Sequence, residues 1–583
     1  MKTVLRYINK KNIALLAIGV ILIIAQAYLE LRIPDQVARM TQILQSGNAS
    51  VNAVLTPGIV MLSCAFASLV LCGISGFIIA QTASGLATNL RSAVFNHTLD
   101  FSLEEIDRFG VSSLITRCTQ DIQMIQIFFT TGLQLLIKAP FLAGIAIYKI
   151  ADKQIEWTIA TSVAVVLILA LTTVLILVCA PKMALMQRYT DNMNRLAKEH
   201  VSGLRVIHAF KSYGFHAARF DDANLDLKKT NSQTGKYLSF MLPGFVFVMF
   251  LLNLAIYVIG IGIIQKTDPG MKKSMYADMV AFSSYALQIV QAFIFLIQAI
   301  MLMPRLFVSA GRISEVINTE LSIVNGEKNA APVSKGTVEF RNVSFRYPNS
   351  GEYALKDISF EIRCGETAAF IGATGCGKTT LMNLIPRLYD ATEGQILVDG
   401  VDVRDYNLKS LRNLLGYVPQ KSRLFTGTIA GNIAYGDNGR FNATLKEIKQ
   451  ASEIGQAGDF IEQKPEGYDT QVQSGGSNFS GGQRQRLTIS RAICRDPEIY
   501  LFDDSFSALD FATDNRLRKT LKATAQDATM LIVAQRIGTI LNADKIFVMD
   551  KGRIVGSGTH DELMKTCDIY REIAETQLKD SAV

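Results

Sequence analysis

Charged side chains are scarce in this 583-residue chain, where Asp, Glu, Lys and Arg together make up only 19% of residues. Soluble globular proteins typically carry about 25%. Aliphatic and aromatic residues reach 49%, which excludes intrinsic disorder as well as a wholly soluble protein. The chain is also too long for a single hydrophobic core, so several domain-sized units are expected.

Cysteine pairs are lacking too. The eight cysteines are dispersed, with no CxxC pair and no metal-ligand spacing, so we expect free thiols rather than disulfides or a zinc site. The net charge of +8 could suit nucleic acid or an anionic membrane surface. With this much apolar sequence the lipid bilayer is the better partner, and no nucleic-acid partner is expected.

The first half of the chain contains six long apolar runs. Each is about 20 residues, enough for a helix to cross the ~30 Å hydrocarbon core. The first run is too long for the core of a cleaved signal peptide and lacks a small-residue cleavage site, so it is expected to be a true span. The six predicted spans of an all-α transmembrane domain (1–324) lie near 13–33, 57–81, 128–150, 155–180, 238–264 and 276–303.

Lys and Arg residues predict the orientation of these spans. Seventeen lie in the predicted inner segments and five in the predicted outer loops, which places both termini in the cytoplasm of a multi-pass protein of the cell inner membrane. The inner stretches 82–127 and 181–237 have helical periodicity and are predicted to be cytosolic coupling loops. Asn48-Ala49-Ser50 forms a glycosylation sequon on the predicted outer side.

A polar linker (325–336) precedes a predicted cytosolic α/β domain (337–583), where a strand-like run is followed at once by a phosphate-binding loop, G-x-x-x-x-G-K-[ST]. Lys378 is predicted to reach the β and γ phosphates, and the Thr379 hydroxyl to bind Mg²⁺. Asp503 ends an apolar strand and is predicted to hold the same ion. The motifs predict a P-loop NTPase domain that binds ATP or GTP through Gly372, Ala373, Thr374, Gly375, Cys376, Gly377, Lys378, Thr379 and Thr380.

Between these motifs stands FSGGQ, residues 479–483. Ser480 and Gln483 fit the spacing of a helix capping box, but two glycines in a first helical turn are costly for stability alone, and they expose N–H groups to an anion. The stretch resembles the LSGGQ signature of the ATP-binding cassette (ABC) family. Six spans followed by one cassette resemble an exporter half-transporter of that family.

The resemblance implies further roles for matching residues. Tyr347, in FRYP, would stack on adenine, and Gln420, in YVPQ, would contact Mg²⁺ and sense the membrane domain. Two cassettes would pair head to tail with ATP and Mg²⁺ between them. The residues that would contact the ATP held by the other cassette are Ser480, Gly481, Gly482, Gln483 and Asp510.

Two departures from the family pattern lie at positions that govern hydrolysis. Asp504 stands where the family has a catalytic glutamate, and Gln535 replaces the histidine of VAHR. Aspartate is one methylene shorter than glutamate, which withdraws the carboxylate by about one ångström. A displacement of that size can lower the rate of hydrolysis on the order of a hundredfold. The chain thus resembles the degenerate-site subunit of heterodimeric bacterial multidrug exporters, and its expected partner is a half-transporter with the Walker B glutamate and the switch histidine.

The expected function is ATP-driven export of small amphipathic molecules, drugs or lipids; a peptide exporter half and an ATP-gated channel or regulatory subunit are the alternatives. Glu30 and Lys138 are costly in lipid and are expected to face a cavity or an interface. Mixed aromatic and amide groups of the sixth span suggest a wide-specificity cavity, although helix packing explains them nearly as well. These candidate cavity residues are Tyr285, Gln288, Gln291, Phe295 and Gln298.

Overall fold

The computed structural model describes most of the chain. The described residues are 1–45, 50–151, 153–266, 268, 271–329, 335–348, 350–436 and 443–580. Two residues of the predicted sequon, Asn48 and Ala49, lie outside them. The chain divides into two compact units, the first formed by Met1–Leu99 with Ser112–Thr319 and the second by Asp100–Val111 with Glu320–Val583.

The first unit is all helical in its described residues. Its helices are α1 (Lys2–Leu5), α2 (Lys10–Gln45), α3 (Val51–Leu99), α5 (Val111–Thr116, which begins in the second unit), α6 (Ile122–Ile127), α7 (Leu133–Ala151), α8 (Ile155–Ser202), α9 (Leu204–Ala209), α10 (Tyr213–Ser239), α11 (Met241–Lys266) and α12 (Lys272–Ile317), while α4 (Leu103–Phe109) belongs to the second unit. Two π-helical turns, Arg117–Asp121 and Phe128–Gly132, separate α5, α6 and α7.

Six helical segments of the described chain are long and apolar enough to cross a membrane. They cover Lys10–Gln45, Val51–Leu99, Val111–Ala151, Ile155–Ser202, Tyr213–Lys266 and Lys272–Ile317. Few of their side chains are buried within the unit, which leaves apolar surface for lipid. The prediction of six apolar helices is therefore confirmed.

Aromatic packing forms the core of the first unit. Trp157 of α8 is fully buried, and its ring centroid lies 5.3 Å from that of Phe282 in α12. Gly260 of α11 lies so close to both helices that a Cβ there would come within 2.3 Å of Met279 Sδ. Close approach of backbone to side chain explains why glycine occupies this position.

The second unit contains twelve strands in its described residues. They are β1 (Val338–Phe345), β2 (Leu355–Ile362), β3 (Thr367–Gly372), β4 (Glu393–Val398), β5 (Val401–Asp402), β6 (Leu415–Val418), β7 (Gly427–Thr428), β8 (Gln471–Val472), β9 (Ile499–Asp503), β10 (Thr529–Val533), β11 (Lys545–Asp550) and β12 (Arg553–Gly558). They form an antiparallel four-stranded sheet in the order β2-β1-β4-β5 and a six-stranded sheet in the order β12-β11-β3-β10-β9-β6. Within the larger sheet, β11, β3, β10, β9 and β6 run parallel and β12 is antiparallel. The remaining strands, β7 and β8, pair separately.

Helices pack on both sheets of this unit, and two apolar clusters fill the space between them. The central strands β9 and β10 are buried along their whole length, as expected for a covered parallel sheet. The α/β class predicted for this domain is confirmed. Its further helices are α13 (Lys378–Leu384), α14 (Leu408–Asn413), α15 (Ile429–Ile433), α16 (Leu445–Ile454), α17 (Gly458–Glu462), α18 (Gly481–Cys494), α19 (Phe511–Thr524), α20 (Ile537–Ile540), α21 (His560–Thr566) and α22 (Asp568–Asp580).

Helix α4 comes from the first predicted coupling loop, yet it is part of the second unit. A capping box between Ser102 and Glu105 fixes its start. Glu105 Oε1 also accepts a hydrogen bond from the backbone N–H of Ser322 at 2.8 Å. Burial raises the pKa of Glu105, but the hydrogen bonds from Ser102 and Ser322 outweigh it, and the net pKa is lowered.

The first part of the predicted linker is bonded to the second unit. Gly326 N–H donates to the Tyr406 carbonyl and Lys328 N–H to the Asp405 carbonyl, each at 3.0 Å. A Cβ on Gly326 would lie 2.2 Å from the Asp405 carbonyl oxygen, so the backbone fits here only as glycine. Residues 330–334 of the linker lie outside the described chain.

Candidate functional site

The loop between β3 and α13 contains the predicted phosphate-binding residues. Gly375 and Gly377 have φ angles of 85° and 103°, a left-handed region that glycine adopts without strain. A Cβ on Gly377 would also lie 2.8 Å from the Ala354 carbonyl. The exposed part of the loop is Ala373, Thr374 and Gly375, which leaves this backbone accessible to a nucleotide.

Lys378 is buried at the base of that loop, with 7% of its surface exposed. Its Nζ donates to the carbonyls of Gly372 at 2.7 Å and Ala373 at 2.8 Å, and it lies 3.4 Å from Cys376 Sγ. The ammonium is thus held inside the loop, as a phosphate ligand requires.

Thr379 and Asp503 meet at the carboxyl end of β9. The Thr379 hydroxyl donates to Asp503 Oδ1 at 2.9 Å, and Asp503 is 1% exposed. Burial raises the pKa of Asp503, with the Thr379 hydrogen bond and Lys378 opposing that shift. A hydroxyl and a carboxylate are hard oxygen donors of the kind Mg²⁺ prefers, so these two residues fit the predicted ion.

Asp504 receives two side-chain amides on one oxygen. Gln535 Nε2 lies 2.9 Å from Asp504 Oδ2, and Gln420 Nε2 lies 3.3 Å from the same atom. Burial raises the pKa of Asp504, and hydrogen bonds from Gln420 and Ser507 oppose the shift. The structure therefore brings together Asp504 and Gln535, the two residues that the sequence singled out for hydrolysis. It places the amide of Gln420, which was predicted to contact Mg²⁺, on Asp504.

Gln577 supports this arrangement and was not predicted. Its Nε2 donates to the Gln535 carbonyl at 2.8 Å, and its Oε1 accepts from Ile537 N–H at 2.8 Å. Gln577 lies on α22, 42 positions beyond Gln535. No motif marks such a residue, because its contacts depend on how the last helix returns to β10.

Tyr347 lies just after β1, within reach of the phosphate loop. Its hydroxyl is 2.9 Å from Thr380 Oγ1, and its ring packs edge-on against Phe345 and Tyr389, with centroid distances of 4.9 and 5.4 Å. Tyr389 in turn donates to Asp107 Oδ2 of α4 at 3.2 Å. The sequence did not predict Tyr389 or Asp107, since neither belongs to a recognisable motif.

The FSGGQ stretch opens α18 with a complete capping box. Ser480 N–H donates to Gln483 Oε1 at 3.0 Å, and Gln483 N–H donates to Ser480 Oγ at 3.2 Å. A Cβ on Gly481 would meet nothing within 4 Å. Asp510 likewise caps α19, accepting from Thr513 N–H at 2.9 Å, which lowers the pKa of Asp510.

The predicted cavity residues separate into three groups. Gln288, Gln291 and Phe295 line one cavity of the first unit. Tyr285 is buried, and its hydroxyl donates to Asp35 and to the Leu31 carbonyl. Gln298 is exposed and is not among the residues lining that cavity.

Comparison with known proteins identifies both parts of the chain. Residues 16–293 match the ABC transporter transmembrane region, and residues 355–507 match the ABC transporter model. An uncharacterized ABC transporter ATP-binding protein of Mycobacterium tuberculosis is 37% identical over 520 residues, 88% of each chain. An ATP-dependent lipid A-core flippase of Pseudomonas aeruginosa is 32% identical over 514 residues, 87% of this chain and 83% of that one.

The fold also matches a solved structure, that of a bacterial Atm1-family ABC exporter with ATP bound. The TM-score is 0.77 at 24% identity, covering 98% of this chain and 99% of the other. The three comparisons agree with one another. The two family models match in the expected order, the relatives exceed 30% identity across most of the chain, and the fold is shared. The chain belongs to the ABC transporter family, and its one transmembrane region followed by one ATP-binding domain is the arrangement of a half-transporter.

Proposed function

We propose that this chain is the hydrolysis-impaired half of a heterodimeric exporter, which moves small amphipathic molecules across the cytoplasmic membrane by alternating access. The observation that carries the proposal is the convergence of the Gln535 and Gln420 amides on Asp504 Oδ2. A general base must reach a water proton with an available oxygen. Two N–H donors occupy one of the two oxygens of Asp504, a side chain that is already one methylene shorter than glutamate.

Nucleotide binding does not depend on that carboxylate. Lys378 is held in the phosphate loop, while Thr379 and Asp503 provide paired oxygen donors for Mg²⁺, which would neutralise phosphate charge when bound. Gln420 would join them only if its side chain left Asp504. We therefore expect this site to bind ATP and to turn it over on the order of a hundredfold more slowly than a glutamate-containing site.

The partner would supply the competent phosphate-binding site, with a Walker B glutamate and a switch histidine. This chain would complete that site through the start of α18, where two glycines leave backbone N–H groups open to the γ-phosphate, and through Asp510. ATP bound between two cassettes holds them together, and hydrolysis at the partner's Walker motifs releases them. The amphipathic cargo is supported by the lipid A-core flippase among the relatives, and the cytoplasmic termini by the Lys and Arg distribution.

The test uses this chain co-expressed with its candidate partner half-transporter. In the wild-type pair, changing the partner's Walker B Glu to Gln should abolish most ATPase activity. In that inactivated pair, the double substitution Asp504→Glu with Gln535→His should restore ATPase activity to at least about tenfold over background. The reason is that glutamate is one methylene longer than aspartate and that the Gln535 amide no longer donates to the carboxylate. Steady-state phosphate release measures both.

A matched pair carrying Gln473→His, an exposed amide-to-imidazole change outside the phosphate and Mg²⁺ motifs, controls for the added histidine. An active homodimer of this chain alone would contradict the asymmetric arrangement. So would a doubly substituted pair that shows no gain while still binding a fluorescent ATP analogue.

A further inference from the structure

Polar side chains in the second half of α3 lie along one face of the helix. Gln81, Ser84 and Thr88 are spaced by three and four residues, which places them on the same side, and all three are exposed. The face continues in both directions with exposed residues, Phe77 one turn before Gln81 and Arg91 one turn after Thr88. Along this face the helix therefore changes from apolar to neutral and polar, and then to cationic.

A cavity of about 620 Å³ lies between this face and the start of α2, and its size is within the usual range for ligand pockets. The two helical segments are held together here, because Asn89 Nδ2 donates to the Tyr7 carbonyl at 3.0 Å. A Cβ on Gly85 would lie 2.8 Å from Asn12 Nδ2, so glycine permits their close approach. The polar lining is neutral throughout and consists of Asn9, Asn12, Gln81, Ser84, Thr88 and Asn89.

The helical stretches that form the cavity carry cations but no carboxylate. Lys10 and Lys11 open α2 next to the lining residue Asn12, and both are exposed. Residues 1–29 and 51–99 together contain five Lys or Arg and no Asp or Glu. An anion is therefore attracted to the rim of this cavity, whereas an ammonium group finds no carboxylate on these stretches to pair with.

The cavity lies at the level expected for lipid head groups. The first predicted span begins near residue 13 and the second ends near residue 81, so the neutral polar lining is at one boundary of the hydrocarbon core. Ile74 and Phe77 extend the same face of α3 into the span and are 47% and 71% exposed. They offer an acyl chain a surface that a soluble anion would leave uncovered.

We propose that this cavity binds an anionic phospholipid whose head group carries hydroxyls, such as phosphatidylglycerol. The phosphate lies at Lys10 and Lys11, and an acyl chain packs on Phe77. Basic residues near a membrane surface attract anionic lipids in general. The neutral lining adds a preference for hydroxyls, because amide and hydroxyl side chains both donate and accept hydrogen bonds, as a head-group hydroxyl does. This inference goes beyond the proposed function and does not depend on it.

Three dioleoyl lipids that differ only in the head group test the proposal: phosphatidylglycerol, phosphatidylpropanol and phosphatidylcholine. Phosphatidylpropanol has the charge and the three head-group carbons of phosphatidylglycerol but lacks both hydroxyls. The full-length chain in detergent is titrated with each lipid, and native mass spectrometry measures the affinity for the first bound lipid. We expect phosphatidylglycerol to bind about tenfold more tightly than phosphatidylpropanol, and phosphatidylcholine to bind most weakly.

Two double variants separate the hydroxyl preference from the attraction by charge. Gln81→Leu with Ser84→Ala should lower the ratio of the phosphatidylglycerol and phosphatidylpropanol affinities at least about threefold. Lys10→Gln with Lys11→Gln should weaken both anionic lipids at least about tenfold and leave that ratio unchanged. Trp157 emission, from the chain's single tryptophan, checks that each variant has kept the folded core of the unit.

Matched controls make the same changes at exposed positions that do not line the cavity. Gln265→Leu with Ser63→Ala repeats the first variant, and Lys228→Gln with Lys229→Gln repeats the second at an adjacent lysine pair of α10. All three lipid affinities should stay unchanged in both controls.

Equal affinities for phosphatidylglycerol and phosphatidylpropanol would overturn the proposal, because charge alone would then account for binding. So would a ratio that Gln81→Leu with Ser84→Ala does not change, or controls that lose as much affinity as the variants. These measurements use this chain alone and without nucleotide. Their failure therefore leaves the proposed function intact, and an active homodimer would leave the lipid site intact.

Discussion

Asp504 is positioned by two neighbouring strands and by its own backbone. It follows β9, and Gln535 reaches it from just beyond the end of β10, because these two strands lie side by side in parallel register. Asp504 itself has a φ of 48°, a left-handed conformation that Asp tolerates better than most residues.

Asp399 offers a prediction about pH. It is 4% exposed, its Oδ1 accepts from Thr337 N–H at 2.8 Å, and burial raises the pKa of Asp399 above that of an exposed aspartate. When the pKa of a carboxyl is higher in the folded than in the unfolded state, the folded state loses stability as pH rises from the unfolded-state pKa through the folded-state pKa. The destabilisation by ionised Asp399 is therefore fully present at neutral pH. Asp399→Asn keeps the acceptor without the buried charge and should raise the free energy of local unfolding at pH 7.

Hydrogen exchange of the β1 and β4 amides at several pH values measures this gain, which should shrink below the raised pKa. The control is Asp405→Asn, an exposed carboxylate paired with exposed Lys328, where a change of at most a few tenths of a kcal/mol is expected. Slower exchange in both variants, or in neither, would contradict the role assigned to Asp399.

The start of α18 must form a stable helix cap and must also leave backbone N–H groups accessible to a nucleotide. The capping box alone accounts for Ser480 and Gln483, and the sequence predicted this cap as well as a nucleotide role. A substitution at Gly481 distinguishes the requirement for helix stability from the requirement for nucleotide contact. A helix is more stable with Ala than with Gly by roughly 0.5–1 kcal/mol, and space for a Cβ is available there.

Gly481→Ala should therefore leave the apparent melting temperature equal or higher, while ATPase activity of the pair falls at least about tenfold because a Cβ blocks the partner's ATP. Gly458→Ala, at the first position of α17 with ordinary space around its Cβ, is the matched control and should keep both properties. A lower melting temperature for Gly481→Ala alone would favour a structural role for the glycine.

Six spans and a following α/β domain could be predicted because hydropathy and strand patterns extend over many residues. Motifs of contiguous residues also predicted the phosphate loop, Asp503 and the unusual pair Asp504 and Gln535, but not the contact between Gln535 and Asp504. The division into two units could not be predicted in detail. Residues 100–111 join the second unit through contacts such as Asp107 with Tyr389, which are 282 positions apart. Pairings over such separations leave no local pattern in the chain.

Membrane orientation can be tested with Cys364, an exposed free thiol of the second unit. If both termini are cytoplasmic, a membrane-impermeant maleimide should label it in inside-out vesicles and spare it in intact cells. Subtracting the signal of Cys364→Ser isolates this site from the other seven cysteines. Equal labelling in intact cells would place the domain outside and reverse the topology.

The two wide turns at Arg117–Asp121 and Phe128–Gly132 bear on how relatives of this chain are aligned. Each π-helical turn takes in an additional residue, and one residue rotates everything after it by about 100° around the helix axis. A relative with a regular helix here would need a one-residue gap at each turn, inside a span where gaps are usually forbidden. An ungapped alignment would pair Lys138 with residues on a different side of that relative's helix, and this charge, which lines the same cavity as Gln288, would be counted as facing lipid.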